Sequence, residues 1–250
     1  MKTVFLWLLL LGHCGATGAA DLARVIETVK PSIVGIGSMQ KMRSPAVIFF
    51  GTGFVVGDGL TVLTSAHVVQ GIADSEQGAT LGILVGIGDA AQFRAATVLA
   101  MDREHDLAQL HIAGTRLPAM LLGDSAKVAE GQAMAFTGFP LGMVLGLHPV
   151  THHAMVSAIT PVVIPALSSR ELGTRLIGTL HKPVYSVFQL DATAYPGNSG
   201  SPLYDPETGL VYGIINMVYV RGVKENAVSN PSGITYAIPG NFMRDMLQGK

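Results

Sequence analysis

The chain has 250 residues, of which 49% are hydrophobic and 13% are charged. This composition is too apolar for a disordered chain, and the length is sufficient for one or two packed cores. With 16 lysine and arginine residues against 17 aspartate and glutamate residues, the net charge is -1. No basic field is available to gather phosphates, so the charge excludes nucleic acid as an expected partner.

The first twenty residues have the organisation of a secretory signal peptide. Lys2 precedes an apolar run at residues 5–11, and small residues then lead to Ala20. We therefore expect residues 1–20 to be removed by cleavage after Ala20. The apolar run is shorter than a membrane span requires, which disfavours the alternatives of an uncleaved anchor or a buried first strand.

The only cysteine, Cys14, lies inside this leader, so the mature chain is expected to contain no disulfide. An exported protein held by its core alone suits a bacterial envelope, either periplasmic or secreted. A lipid anchor on Cys14 is the alternative, and His13 is an unfavourable residue directly before a modified cysteine.

Short strand-like runs dominate the chain after the leader, with helices predicted only at residues 22–29 and 241–247. The runs are rich in β-branched residues and are separated by Gly and Pro, a pattern typical of an all-β protein. Residues 114–124 carry few strand signals and are the predicted crossing between two halves, each a small antiparallel barrel. The predicted domains are residues 21–118 and 119–250. The predicted strands are residues 32–36, 51–56, 61–65, 82–87, 107–112, 132–136, 188–190, 210–217 and 233–238.

The most informative segment is a serine, Ser199, flanked by glycines at residues 197–200. Glycines permit a sharp turn from which a hydroxyl can project while backbone N–H groups face a substrate carbonyl. His67 ends an apolar strand-like run, where a general base would be placed, and Asp106 opens an alternating strand. Taken alone, the three have ordinary interpretations as a surface turn, a structural histidine and a strand cap.

Together these segments resemble the trypsin-like serine peptidases, most closely the HtrA (Deg) branch, in their order of His, Asp and Ser. The resemblance covers nearly the whole mature chain, and it implies a chymotrypsin-like fold of two six-stranded antiparallel β-barrels with the site between them. The matching segments are Gly51-Thr52-Gly53-Phe54, Thr64-Ser65-Ala66-His67-Val68-Val69, Asp106-Leu107-Ala108, Gly138-Phe139-Pro140, Gly197-Asn198-Ser199-Gly200 and Ala237-Ile238-Pro239.

The resemblance also assigns roles within a serine endopeptidase. Ser199 is expected to be the nucleophile, His67 the general base and acid, and Asp106 the carboxylate that fixes the imidazole tautomer. The backbone N–H groups of Gly197 and Ser199 would form the oxyanion hole. Asp102 is a competing acid, but Asp106 directly precedes the Leu-Ala of the family pattern.

Substrate contacts are expected on both sides of the nucleophile. No acid stands at Thr193, the predicted base of the primary pocket, so small to medium aliphatic side chains should be preferred there. Asp191 is the alternative, since a carboxylate in the pocket would select Arg or Lys. The predicted substrate-binding residues are Thr193, Ala194 and Tyr195, together with Asn216, Met217 and Val218 as the strand edge that pairs with substrate.

The sequence departs from the HtrA pattern in two places. Ser201 stands where many relatives have glycine, and Ala194-Tyr195 replace a larger aliphatic residue and Asn, which changes the expected pocket shape. The chain also ends soon after residues 237–239, so we expect a protease domain without the PDZ domain of many relatives.

The expected function is hydrolysis of peptide bonds in protein or peptide substrates through an acyl-enzyme, with no metal or cofactor. His148, His152 and His153 do not predict a metal site, because adjacent strand residues point to opposite faces. Gly and Pro residues interrupt the apolar stretch at residues 133–167, so no stable membrane span is expected. The resemblance implies a possible homotrimer. Two alternatives remain: a non-catalytic or conditionally active peptide-binding or chaperone-like module of the same fold, and a structural envelope protein.

Overall fold

The computed structural model describes residues 18–75, 78–144, 146–162, 185–216 and 234–249. Most of the predicted leader, and Met217 and Val218 of the predicted substrate edge, lie outside the described residues. Among the helices of the described ranges, none has the length and apolar character needed to cross a bilayer.

The first barrel is closed by six antiparallel strands in the order β1-β2-β3-β6-β5-β4. Alternate side chains of these strands point inward, and the interior is filled by aliphatic residues such as Val34, Val62 and Leu110, all fully buried. The strands are β1 (Ile33–Met39), β2 (Val47–Val56), β3 (Thr61–Ser65), β4 (Thr80–Val85), β5 (Gln92–Asp102) and β6 (Leu107–Ile112).

The second barrel repeats this plan in the order β10-β11-β12-β9-β8-β7, again antiparallel and closed. Its interior carries larger side chains, including Phe136, Phe188 and Leu190. The prediction of two six-stranded antiparallel barrels is confirmed. The strands are β7 (Ala133–Gly138), β8 (Val150–Pro161), β9 (Ser186–Asp191), β10 (Pro202–Tyr204), β11 (Val211–Asn216) and β12 (Ile234–Pro239).

Helix α2 (Ala66–Ser75) was not predicted from the sequence, which led us to expect helices only near the two ends. Its first turn contains Val68 and Val69, whose branched side chains lower helix propensity and favour a strand. These two residues and Ile72 are buried against the first barrel, so tertiary packing stabilises the helix despite its modest propensity. The expected terminal helices are present as α1 (Gly18–Val29) and α3 (Gly240–Leu247).

Strands β5, β8 and β10 were not among the strands named from the sequence. Much of β5 is exposed, and it contains a bulge between Val98 and Ala100. Short 3₁₀ turns occupy Lys30–Ser32, Gly88–Ala90, Ser125–Lys127 and Gly142–Val144.

One contiguous apolar cluster joins the two barrels. It includes Phe54, Leu63 and Leu107 from the first barrel with Tyr204 and Ile214 from the second, all at most 1% exposed. Burying a side chain of this size contributes about 1.5–3 kcal/mol, so the cluster strongly opposes separation of the barrels.

The chain passes between the barrels along an extended segment. Met120 N donates to Val55 O of β2 at 2.9 Å, and Gly123 N donates to Val211 O of β11 at 2.7 Å. This segment therefore touches both barrels within four residues, and the domain boundary between residues 118 and 119 stays a prediction.

Candidate active site

The first feature of the site is a close pair formed by His67 and Asp106. His67 is the second residue of α2, and its Nδ1 lies 2.6 Å from Asp106 Oδ2. The other carboxylate oxygen, Oδ1, accepts a hydrogen bond from the His67 backbone N at 2.8 Å. The first N–H groups of a helix have no partner within the helix, so Asp106 caps α2 while it orients the imidazole.

Asp106 adopts the left-handed backbone conformation, with a φ of 54°. This region is uncommon outside glycine, although Asp and Asn tolerate it better than other residues. Its carbonyl accepts a hydrogen bond from Ala66 N at 3.0 Å. The backbone and the carboxylate of Asp106 therefore both bind the first residues of α2.

A third donor to the carboxylate comes from the second barrel. Asn216, the last residue of β11, is fully buried, and its Nδ2 donates to Asp106 Oδ2 at 2.8 Å. From the sequence, Asn216 is expected only as part of a strand edge that pairs with substrate, and that edge stays a prediction. No local pattern marks Asn216 as a partner of Asp106, because the two residues are 110 positions apart.

Asp102, the competing acid, pairs with a different histidine. Its Oδ2 lies 2.5 Å from His105 Nδ1, and its Oδ1 accepts from the backbone N of Glu104 and of His105. Burial alone would raise the pKa of Asp102, but the hydrogen bonds from the His105 side chain and from these two amides lower it below its ordinary value. Asp106 therefore pairs with His67, and Asp102 pairs with His105.

Ser199 lies in the tight loop between β9 and β10 and is 5% exposed. The loop turns through Gly197, with a φ of 102°, and Gly200, with a φ of 89°. A Cβ at Gly200 would lie 2.0 Å from Thr52 O. Glycine is therefore required there both for its backbone conformation and for the close approach of β2.

Thr52 of β2 holds this loop, a role that the sequence analysis did not assign. Thr52 N donates to Ser199 O at 2.9 Å, and Thr52 Oγ1 donates to Gly197 O at 2.7 Å. Leu141 N donates to Pro196 O at 2.7 Å. The feature of the sequence that could have indicated this role is a polar residue between two glycines, Gly51 and Gly53, in an otherwise apolar strand.

Two backbone amides of the loop differ from its carbonyls in having no hydrogen-bond partner within the described residues. In the part of the chain that the structure describes, the backbone N–H groups of Gly197 and Ser199 donate no hydrogen bond. The carbonyls of Pro196, Gly197 and Ser199 accept hydrogen bonds from Leu141 and Thr52, whereas these two amides remain available to a ligand.

Ser199 lies beside the helix that carries His67. A Cβ added to Gly51 would lie 3.0 Å from the Ser199 carbonyl oxygen and 2.8 Å from Val68 Cγ2. Ser199 and Val68 therefore both pack against Gly51. Within the described residues no hydrogen bond joins Ser199 Oγ to His67. In substrate-free enzymes such bonds are often long and tighten only when substrate binds.

The predicted pocket residues lie just before Ser199 in the chain. Ala194 N donates to Thr235 Oγ1 at 3.1 Å, and the same hydroxyl donates to Ala192 O at 2.7 Å, which ties the segment to β12. Thr193 is half-buried between these anchors. Asp191 is exposed at the end of β9, on the face opposite to buried Leu190.

Tyr195, the third predicted pocket residue, is half-buried with its ring centroid 6.2 Å from that of His152. His152 stacks on Phe136 at 4.7 Å, and burial lowers its pKa. Its neighbour His153 is exposed. Among the described residues no group of three or more possible metal ligands is present.

Comparison with known proteins agrees with this architecture. The family model of the trypsin-like peptidase domain matches residues 51–214, which include the His67–Asp106 pair and Ser199. The chain belongs to the trypsin-like peptidase family.

This family member is similar to HtrA and DegP proteases. It is 32% identical over 211 residues to a probable periplasmic serine endoprotease DegP-like of Halomonas elongata, covering 84% of this chain and 36% of the relative. It is 27% identical over 250 residues to serine protease HTRA4 of Homo sapiens, covering 94% of this chain and 45% of the relative. The chain therefore spans less than half the length of these two relatives.

Solved structures show the same fold. The HtrA-type protease AlgW with a decapeptide superposes with a TM-score of 0.64 at 21% identity, over 91% of this chain and 66% of that one. At this identity the likeness supports the chymotrypsin-like fold and no finer conclusion.

The packing of β2 against the nucleophile loop gives a test. Gly200→Ala should lower the free energy of unfolding more than Gly131→Ala, which is a matched control with a φ of 83° and no atom within 4 Å of an added Cβ. The control loses about 1–2 kcal/mol from its left-handed backbone. Gly200→Ala should lose roughly 1–3 kcal/mol more, because Thr52 O must move. Urea unfolding measures both, and equal losses would contradict this packing.

Proposed function

We propose that the chain is a serine endopeptidase that hydrolyses peptide bonds through Ser199, His67 and Asp106. The observation that carries the proposal is the Asp106 carboxylate, which holds His67 through Nδ1 at 2.6 Å beside a glycine-flanked serine. A carboxylate on Nδ1 keeps the proton there, so Nε2 has the lone pair that a general base needs.

The proposed reaction proceeds by acyl transfer. His67 Nε2 accepts the proton of Ser199 Oγ as this oxygen attacks the substrate carbonyl carbon, and the imidazolium that forms is stabilised by Asp106. His67 then donates the proton to the leaving amine, and the peptide C–N bond breaks. Water repeats the sequence on the acyl-enzyme, so the chemistry uses only side chains, backbone amides and water.

The backbone N–H groups of Gly197 and Ser199 are the proposed oxyanion hole. Neither amide donates a hydrogen bond within the described chain, although three carbonyls of the same loop are bound, and this availability supports the role. Donors fixed before the reaction stabilise the negative charge that develops on the carbonyl oxygen, and one such donor is typically worth about 3–4 kcal/mol in the transition state.

The names of related proteins support the wider proposal. Relatives are named periplasmic serine endoproteases, and a structural neighbour holds a decapeptide. We extend to this chain the proposals of polypeptide substrates and of export to a bacterial envelope. The signal peptide at residues 1–20, the homotrimer and the substrate-pairing edge at residues 216–218 stay predictions.

The nucleophile is tested by comparing two serines of one loop. Ser199→Ala should reduce kcat for a fluorogenic peptide by about 10⁴-fold or more, because the acyl-enzyme cannot form. Ser201→Ala is the matched control: Ser201 is also buried, but its hydroxyl has no hydrogen-bond partner within the described residues. It should retain activity, and both variants should unfold cooperatively.

Near wild-type activity of Ser199→Ala would refute the proposed nucleophile. A wild-type chain that binds peptides without cleaving them would instead favour the peptide-binding module of the same fold.

The primary pocket gives a separate test. If Thr193 forms the base of an uncharged pocket, the enzyme should cleave after Ala, Val, Leu or Met at least about tenfold better than after Arg or Lys, a difference of ~1.4 kcal/mol. Thr193→Asp should shift the preference toward Arg and Lys, because a carboxylate there can pair with their charge. Asp191→Asn is the control and should change nothing, since Asp191 is exposed. A peptide library measures the ratios, and wild-type preference for Arg or Lys that is lost in Asp191→Asn would overturn this assignment.

A further inference from the structure

The turn that precedes Asp106 is held by its own internal pair. Asp102 ends β5, and its Oδ1 accepts hydrogen bonds from Glu104 N at 2.9 Å and His105 N at 3.1 Å. Its Oδ2 lies 2.5 Å from His105 Nδ1. One carboxylate thus fixes both the backbone of the turn and the direction of the His105 ring.

The His105 ring in turn packs on two rings from the second barrel. It stacks on Phe242 of α3 with centroids 3.8 Å apart and an interplanar angle of 18°. The Tyr185 ring meets His105 edge-on at 4.6 Å and Phe242 at 5.3 Å, and the Tyr185 hydroxyl donates to Glu104 O at 3.1 Å. We call His105, Tyr185 and Phe242 the aromatic clasp.

The aromatic clasp packs the turn of the first barrel that contains His105 against the second barrel. His105 directly precedes Asp106 in the chain. Asp106 has a φ of 54°, and a non-glycine residue stays in that region only when its surroundings hold it there. A change in this backbone would displace the carbonyl that binds Ala66 N and the carboxylate that binds His67. The conformation of the turn and the orientation of the imidazole are therefore coupled.

We propose that His105, held by Asp102 and by the rings of Tyr185 and Phe242, is a positioning residue that sets the Asp106 carboxylate against His67. This inference rests on the proposed peptidase function. Through the aromatic clasp, packing of the second barrel would help to position Asp106 of the first barrel. This contact is additional to the direct hydrogen bond that Asn216 donates to Asp106.

The hydrogen bonds of the turn agree with this role. Asp102 is partly buried, and the same hydrogen bonds that place His105 hold the pKa of Asp102 below its ordinary value. The Asp102 carboxylate is therefore ionised at the neutral pH at which a histidine-dependent peptidase works, and it accepts a hydrogen bond from His105 Nδ1.

The test compares kcat and KM in variants of the full chain. Phe242→Ala and His105→Ala should each lower kcat by roughly 10- to 100-fold, as expected when a reacting group is displaced by a fraction of an ångström to 1 Å, and should leave KM nearly unchanged. Phe242→Tyr keeps the ring and should restore activity. Met243→Ala is the matched control in the same helix: Met243 is fully buried, so it should lower stability without lowering kcat of the folded enzyme.

A double-mutant cycle separates positioning from general destabilisation. In an Asp106→Asn background, His105→Ala should cause little further loss, because the group through which it acts has already been altered. An undiminished loss in that background would overturn the proposal. So would equal effects of Phe242→Ala and Met243→Ala on kcat.

A readout independent of turnover keeps this inference distinct from the proposed function. The proton shared by His67 Nδ1 and Asp106 should give a strongly downfield ¹H NMR signal in the wild-type chain. That signal should weaken or shift in Phe242→Ala and persist in Met243→Ala and in Ser199→Ala. If the wild type had no Ser199-dependent activity, the proposed function would fail, and an unchanged signal in Phe242→Ala would separately refute the clasp.

Discussion

The Asp106 carboxylate is the point at which the two barrels and the chemistry meet. It accepts two hydrogen bonds from His67 and one from Asn216, so donors from both barrels converge on one partly buried charge. A carboxylate removed from water is costly unless such donors replace its hydration. The requirement to satisfy Asp106 therefore couples the start of α2 to the end of β11.

Ser199, the proposed nucleophile, depends on a second link between the barrels. Strand β2 of the first barrel holds the Ser199 loop of the second through the backbone and hydroxyl of Thr52. These bonds occupy the carbonyls of Gly197 and Ser199, while the amides of the same two residues donate no hydrogen bond within the described residues. The two links have a common consequence: neither barrel alone can bring together the proposed base His67, the proposed acid Asp106 and the proposed nucleophile Ser199. The apolar cluster between the barrels keeps them at the required distance.

The resemblance of short segments to a known family was enough to predict the fold and to name His67, Asp106 and Ser199 as the proposed catalytic residues. Ser199, His67 and Asp106 lie in three short segments whose order resembles the trypsin-like peptidases, and that resemblance implied the two six-stranded barrels. The β-branched runs separated by Gly and Pro indicated the all-β class. Helix α2 was missed because Val68 and Val69 favour a strand locally, whereas packing on the first barrel decides the outcome.

The supporting residues could not be predicted, because their roles arise from contacts between distant parts of the chain. Asn216 reaches Asp106 across 110 positions, and Thr52 reaches Gly197 across 145. The register that brings them together is a property of the closed barrels and of the packing between them. Asp102 illustrates the same limit. From the sequence it is an alternative to Asp106 as the acid of the site, whereas in the structure its carboxylate pairs with His105.

The most direct test of the central role of Asp106 is the rate at which a fluorophosphonate labels the protein, with the adduct located by peptide mass spectrometry. The account predicts an adduct on Ser199 in the wild-type chain. We also expect labelling to be up to about tenfold slower in Asn216→Leu, which keeps the number and branching of the side-chain heavy atoms and removes one charge-assisted donor to Asp106. An adduct on another residue, or an unchanged rate in Asn216→Leu, would contradict it.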